Sequence, residues 1–200
     1  ACTLGQRMSR GYATESFQEL FPTFQELISN GLSLNANDFE CHRLLSAVNL
    51  AMGNHELAVQ HGRKAYEMVG NDPRILSGYG EALLKAGEYG LGLEMMLKAL
   101  DLEPVPQGHI SSDKRYDDAI FGHFLNEGYE ECVELFQKVD IPEFRVWLLT
   151  AVASEELSLQ LGESQWFQVG QKSYANLDLK SEVAKFQLKD KVIVEQLTQH

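Results

Sequence analysis

No stretch of this 200-residue chain comes near the roughly 20 apolar residues that a membrane-spanning helix requires, so membrane insertion by this segment is not expected. Basic side chains are also scarce. Seventeen Lys and Arg stand against 29 Asp and Glu, a formal net charge of −12. That field repels a phosphate backbone, which excludes nucleic acid as an expected partner and favours a basic one. Cysteine is limited to Cys2, Cys41 and Cys132. An odd number at wide spacing supports neither a complete disulfide framework nor a C-x-x-C site, and reads as small buried apolar side chains in a reducing compartment. The N-terminus lacks the basic-then-apolar layout of a signal peptide and starts without methionine, which reads as an excised segment.

The usual signatures of chemistry are missing as well. Neither G-x-x-x-x-G-K-[ST] nor G-x-G-x-x-G occurs, so no loop is set up to cradle a nucleotide phosphate. His42, His55, His61, His109, His123 and His200 form neither H-E-x-x-H nor H-x-x-x-H, and His55 and His61 fall on different faces of a helix. Asp117-Asp118, Glu130-Glu131 and Glu155-Glu156 are sequence neighbours, which diverge on a helix instead of converging as an acid–base pair must. The expectation is therefore no catalytic residue, no metal and no cofactor: not an enzyme.

What the chain does contain is an internal repeat. Gly53-Asn54-His55-Glu56-Leu57-Ala58 lies 34 residues before Gly87-Glu88-Tyr89-Gly90-Leu91-Gly92. Around each stretch stands an apolar-periodic helix, a turn at glycine, a second helix and a polar break. Leu44, Leu45, Val48 and Leu50, then Leu57, Ala58, Ala65 and Met68, mark the first unit. Ile75, Tyr79, Leu83 and Leu84, then Leu91, Met95, Met96, Ala99 and Leu100, mark the second. Small residues (Ser46, Ala58 and Ala65; Gly80, Gly92 and Ala99) fall where paired helices approach most closely. Asn37 and Asp38 can both cap the first unit, with Glu40 three residues after Asn37 in capping-box spacing, as Glu143 is after Asp140. Asp72-Pro73 reads as a cap followed by proline at the first helical position, and Gly53 and Gly87 as left-handed helix closers.

These two units, 39–72 and 73–106, resemble tetratricopeptide repeats. Glu127-Gly128-Tyr129-Glu130-Glu131-Cys132, with Phe136, resembles the same G-x-Y-x-E-A turn in a weaker unit over 113–141, after a loop at 105–111. Its first helix is expected from about Ser112 to Asn126. A divergent pair is expected over 142–175, with a leading helix (142–161) longer than the repeat requires. A partial unit is expected over 1–38, whose second helix (14–30) carries the stripe Phe17, Leu20, Phe21, Phe24, Leu27 and Ile28 and is kinked or split at Pro22. Residues 176–200, with Val192, Val194 and Leu197, read as a C-terminal capping helix. The resulting expectation is an all-α, right-handed superhelical solenoid of antiparallel helix hairpins over 1–175. The order of parts, ending in Phe186-Gln187-Leu188-Lys189-Asp190-Lys191, is similar to the C-terminal repeat regions of bacterial adenylate cyclases and winged-helix regulators. That likeness implies a regulatory module of a larger protein, cytoplasmic, or periplasmic if the regulator is membrane-linked.

The family resemblance implies a concave groove lined by the first helices. Mapped onto this chain, the groove receives Glu40, Arg43, Leu44, Ala47 and Leu50 from the first unit. The second contributes Arg74, Ser77, Glu81, Leu84 and Lys85, and the third Asp117, Asp118, Phe121, Phe124 and Leu125. Mixed charge and apolar patches suit a partner peptide or helix, hence a protein–protein interaction scaffold. Other readings stay open: a ligand-sensing or homodimerising module controlling another domain, an enzyme whose site uses an unrecognised constellation, and a spacer whose groove is filled by the chain's own 142–161 helix or C-terminal segment.

Overall fold

The computed structural model describes residues 17–106, 112–162 and 164–199, with side chains from Glu19 onward. The partial helix expected over residues 1–12, Cys2, His109 and most of the 105–111 loop lie outside them. The described residues form eleven α-helices and no strand. They are α1 (Phe17–Leu34), α2 (Phe39–Ala51), α3 (His55–Met68), α4 (Pro73–Ala86), α5 (Tyr89–Leu102), α6 (Lys114–Leu125), α7 (Tyr129–Phe136), α8 (Phe144–Glu156), α9 (Gln165–Tyr174), α10 (Leu179–Ala184) and α11 (Lys191–Leu197). The chain is all-α.

Local chemistry sets most of these boundaries. Asp72 caps α4, its carboxylate accepting from the Arg74 N–H with Pro73 just inside the helix. Gly53 and Gly87 close α2 and α4 at φ 76° and 97°, where a side chain would be strained. Two expected capping boxes are corrected. The cap of α2 is Asp38, whose carboxylate accepts from the Cys41 N–H at 2.7 Å, while the Asn37 N–H is turned to the Asn35 side chain. At α8, Glu143 occupies the cap position without a side-chain cap bond, and the N–H groups of Asp140 and Ile141 donate to Asp113.

Other expectations change too. Helix α1 runs unbroken through Pro22 to Leu34. Of its stripe from Leu20 to Ile28, Phe24 and Ile28 are buried, against Leu44, while Leu27 is exposed. Helix α8 has 13 residues, no longer than α2. It stops because Ser158 adopts φ 57° and folds its N–H back onto the Glu155 carbonyl, with Leu159 bonding Ser154.

From α2 to α8 each helix packs on the next, and α2, α4, α6 and α8 also touch in succession. The contact between α4 and α5 is tightest at Gly92. A β-carbon there would lie 2.7 Å from Leu84 Cγ and 3.0 Å from the Leu84 backbone nitrogen. Gly92→Val is expected to cost about 1–3 kcal/mol, read as a lower urea midpoint. Gly90→Ala, on the same helix with open space around it, should instead be neutral or stabilising by up to about 1 kcal/mol.

The core has three parts. A small cluster joins α1 to α2, and a second (Leu50, Ala58, Leu76, Tyr79, Leu83, Met95) joins α2 through α5. The largest runs from Leu84 and Met96 through Phe121, Phe124, Phe136 and Leu149 to Val183, Phe186 and Leu197 of the C-terminal segment. The C-terminal residues are thus part of the main core.

Candidate functional site

The positions assigned to the groove divide into two environments. On α2, Glu40 and Arg43 pair with each other, Arg43 Nη2 donating to Glu40 Oε1 at 2.6 Å and Nε to Oε2 at 2.9 Å, both side chains about a quarter exposed. Ala47 is exposed. Arg74 on α4 is exposed and folds back on its own cap, Asp72, at 2.7 Å. These four reach solvent, as does Glu81, whose side chain is 29% exposed. Leu44 packs on α1 and Leu50 against α3 and α4. Leu84, Phe121, Phe124 and Leu125 belong to the large core. These six offer a partner no surface, a correction to the groove set. Their register explains it: an apolar residue facing the adjacent first helix is covered once the helices stack.

Deeper in the stack lies a ladder of charges running from α4 across α6 to α8. Glu81 pairs with Lys85 at 2.9 Å. Lys114 Nζ donates to Asp118 Oδ1, and the buried Ser77 hydroxyl donates to Asp118 Oδ2 at 2.7 Å. Arg145 grips Asp117 through two parallel bonds, Nη2 to Oδ2 at 2.6 Å and Nε to Oδ1 at 3.1 Å. Its guanidinium also sits 4.6 Å from the centre of the Phe121 ring. Arg115 closes the ladder on Glu103 at 2.9 Å. Lys85, Lys114 and Arg145 together hold the Glu81 carboxyl well below the usual carboxylate range. Burial pulls Lys114 down to about 8 against the opposing pull of Glu81. With Asp118 only 2% exposed and Lys85 7%, these ions persist because each is matched by an opposite charge. The arrangement ties three first helices together, α4 to α6 through Ser77 and Asp118 and α6 to α8 through Asp117 and Arg145.

Along one edge of the stack the C-terminal segment between α10 and α11 ties down the helix turns. Gln187 adopts φ 57°. Its side-chain amide donates to the Ala51 carbonyl at the end of α2 at 3.2 Å, and its own carbonyl lies 2.7 Å from His55 Nε2 at the start of α3. Two residues on, the Lys189 N–H donates to the Lys85 carbonyl in the last turn of α4 at 2.9 Å. The Tyr89 hydroxyl donates to Asp190, itself the cap of α11, at 3.1 Å. Terminal carbonyls of α2 and α4 that would otherwise lack partners are satisfied in this way.

Lys114, Arg115 and Arg145 belong to the charged ladder beside the expected groove positions but were not among them. A signal for two of them existed. Arg115 and Arg145 stand second in α6 and α8, as Glu40 and Arg74 do in α2 and α4. The loop between α5 and α6 hides that register. Among the described residues, no group of three His, Cys, Asp or Glu converges to hold a metal. Cys41 and Cys132 are free thiols; burial pushes Cys132 up to about 12. No helix among the described residues is long and apolar enough to cross a membrane. Comparison with protein-family models and with curated proteins returns no match for this chain.

Proposed function

We propose that this chain is a tetratricopeptide-type repeat module that binds a segment of a partner protein along its first-helix face. The observation that carries the reading is the repeated register. Helices α2 and α4 start 34 residues apart, as do α3 and α5, and first helices touch first helices from α2 to α8. Stacks of this kind have no closed active-site cleft; their recognition surface is the shared face. On that face Glu40, Arg43, Ala47 and Arg74 reach solvent, offering both charges beside a small apolar patch, chemistry suited to an amphipathic helix or an extended peptide. The second apolar cluster, which joins α2 to α4 through Leu50, Leu76 and Tyr79, sets the spacing of these helices, so the face is preorganised rather than assembled on binding.

The test is a display selection of peptides against the whole chain. Affinities of the selected peptides are then measured for wild type and for the double variant Arg43→Glu, Arg74→Glu. Circular dichroism and the melting transition establish that the variant is folded before its affinity is read. Binding is expected to weaken at least about tenfold. Equal affinity in a folded variant removes this face from the site.

A further inference from the structure

Two histidines meet inside the first repeat, where neither the groove nor the charged ladder uses them. His42, on α2, is 4% exposed, and His61, on α3, is half-buried. Their Nδ1 atoms lie 3.0 Å apart, and the rings are inclined by only 23° with centres 5.2 Å apart. Those values place the N–H···N bond near the plane of both rings. On its other edge, His42 Nε2 lies 3.2 Å from the carbonyl of Ala36, in the turn between α1 and α2. The surroundings are closely packed. A β-carbon on Gly62, next to His61, would lie 2.8 Å from Tyr79 of α4 and 3.2 Å from Ser46 of α2. The Ser46 hydroxyl in turn donates to the Ala58 carbonyl of α3 at 2.8 Å.

The partners fix the tautomers. A carbonyl only accepts, so His42 carries its hydrogen on Nε2 and presents a bare Nδ1. His61 then donates through its own Nδ1, which leaves His61 Nε2 as the position for a further proton. Burial, His42 and Lys64 all hold the His61 imidazole below the usual histidine value, and no carboxylate offsets them. A second proton would fall on His42 Nδ1 and set two N–H groups against each other across 3.0 Å. The ionisable groups of the helices around the pair are engaged or turned outward. Asp38, the cap of α2, accepts from the Cys41 N–H, and Glu40 pairs with Arg43. Arg63 of α3 donates to the Tyr79 hydroxyl of α4 at 3.4 Å. Glu19 and Glu26 of α1, with Glu56 and Glu67 of α3, are exposed.

We infer that the His42–His61 pair is a pH-sensitive latch, closed while both rings are neutral, that fastens the α1–α2 turn and α3 to α2 and opens in mild acid. A histidine whose folded value lies below its unfolded one contributes stability that is complete above the unfolded value and is lost as pH falls through the folded one. Once the pair parts, both rings reach water and take up protons that the closed pair excludes. Each such proton favours the open form by about tenfold for every pH unit below about 6.5. Helix α2 also carries Glu40 and Arg43, so acid loosens the peptide-binding face. That consequence rests on the peptide-binding reading, whereas the latch is tested without a peptide, so the two can fail separately.

The experiment measures amide hydrogen exchange of the whole chain at about pH 7.5 and about pH 5.5, corrected for the intrinsic pH dependence of exchange. Protection over 36–51 and 55–68 is expected to fall at least about tenfold at the lower pH, one unit below the free histidine value. In His61→Gln the carboxamide can donate to neutral His42 or accept from protonated His42, and it does not titrate. Protection of these helices in that variant should therefore be nearly the same at the two pH values. His55→Gln and His123→Gln, which change the other described histidines, should keep the wild-type response. If His61→Gln does not fold, wild-type exchange and an NMR titration of the imidazoles decide: His61 is expected to take up its proton below the free value. Equal protection of wild-type α2 and α3 at both pH values overturns the inference. So does an undiminished response in folded His61→Gln, its loss in His55→Gln or His123→Gln, or a His61 that titrates at or above the free value.

Discussion

Arg145→Met is expected to lower the unfolding free energy by about 3–5 kcal/mol, the largest effect of any single change outside the apolar core. An exposed ion pair would be worth about 0–1 kcal/mol, and burial decides between the two figures. Arg145 is 17% exposed, Asp117 11% and Asp118 2%. Removing the guanidinium leaves Asp117 without its bidentate partner and withdraws one of the cations that hold Glu81 ionised. Methionine keeps much of the packing volume over Phe121, so the loss is electrostatic. Acid provides a second readout. A carboxylate held below its unfolded value contributes stability that is complete above that value and is lost as pH falls through the folded one. The gap between wild type and Arg145→Met should therefore be full near neutrality and narrow as the solution is acidified below about pH 4.5. A loss under about 1 kcal/mol at pH 7 would mean the ladder is solvated and does not set the register of α4, α6 and α8.

Phe186→Ala is expected to cost about 3–5 kcal/mol, the penalty of deleting a buried ring from a packed core. A loosely attached tail would tolerate the change. Here Phe186 is 6% exposed in the same cluster as Leu84, Phe121 and Leu149, and the following residues bond to the ends of α2 and α4. The C-terminal segment is thus a structural strap across the repeats as well as a cap. Val192→Ala, at a position 73% exposed, is the matched control and should stay within about 0.5 kcal/mol of wild type. Equal melting behaviour for the two variants would show that the strap is not part of the cooperative fold.

Much of the helical layout was legible because it rests on local signals. Asp72-Pro73, Gly53 and Gly87 each act on the backbone within a turn, and the apolar periodicity around them leaves one face to bury. Where the signals thin out, the reading fails for physical reasons. Glu127 takes the left-handed position that Gly87 takes one unit earlier, with φ 60°, so the third unit lacks the glycine that marks this turn in the first two. Asn37 and Asp38 are both competent caps, and only the approach of the Asn35 side chain to the Asn37 N–H leaves the role to Asp38. Helix α10 is six residues long, too short for a periodic pattern to stand out.

The candidate surface was legible only in part. Spacing identifies which residues point toward the first-helix face, but it cannot tell an exposed position from one covered by the neighbouring helix. Glu40, Arg43 and Arg74 keep part of their side chains in solvent, whereas Phe121 and Phe124 are covered by the helices of the final units. Arg145 reaches Asp117 across 28 residues of sequence, and Gln187 reaches Ala51 across 136. Contacts that long depend on the tertiary fold, and no local pattern encodes them.

The central claim, that the first-helix face of α2 and α4 is the recognition surface, is tested most directly by hydrogen–deuterium exchange with and without a selected peptide. The account predicts added protection over 39–51 and 73–86, little change over α3 and α5 on the opposite side, and loss of the protection in the Arg43→Glu, Arg74→Glu variant. Protection confined to α3 and α5, or to the α8–α9 region, would contradict it.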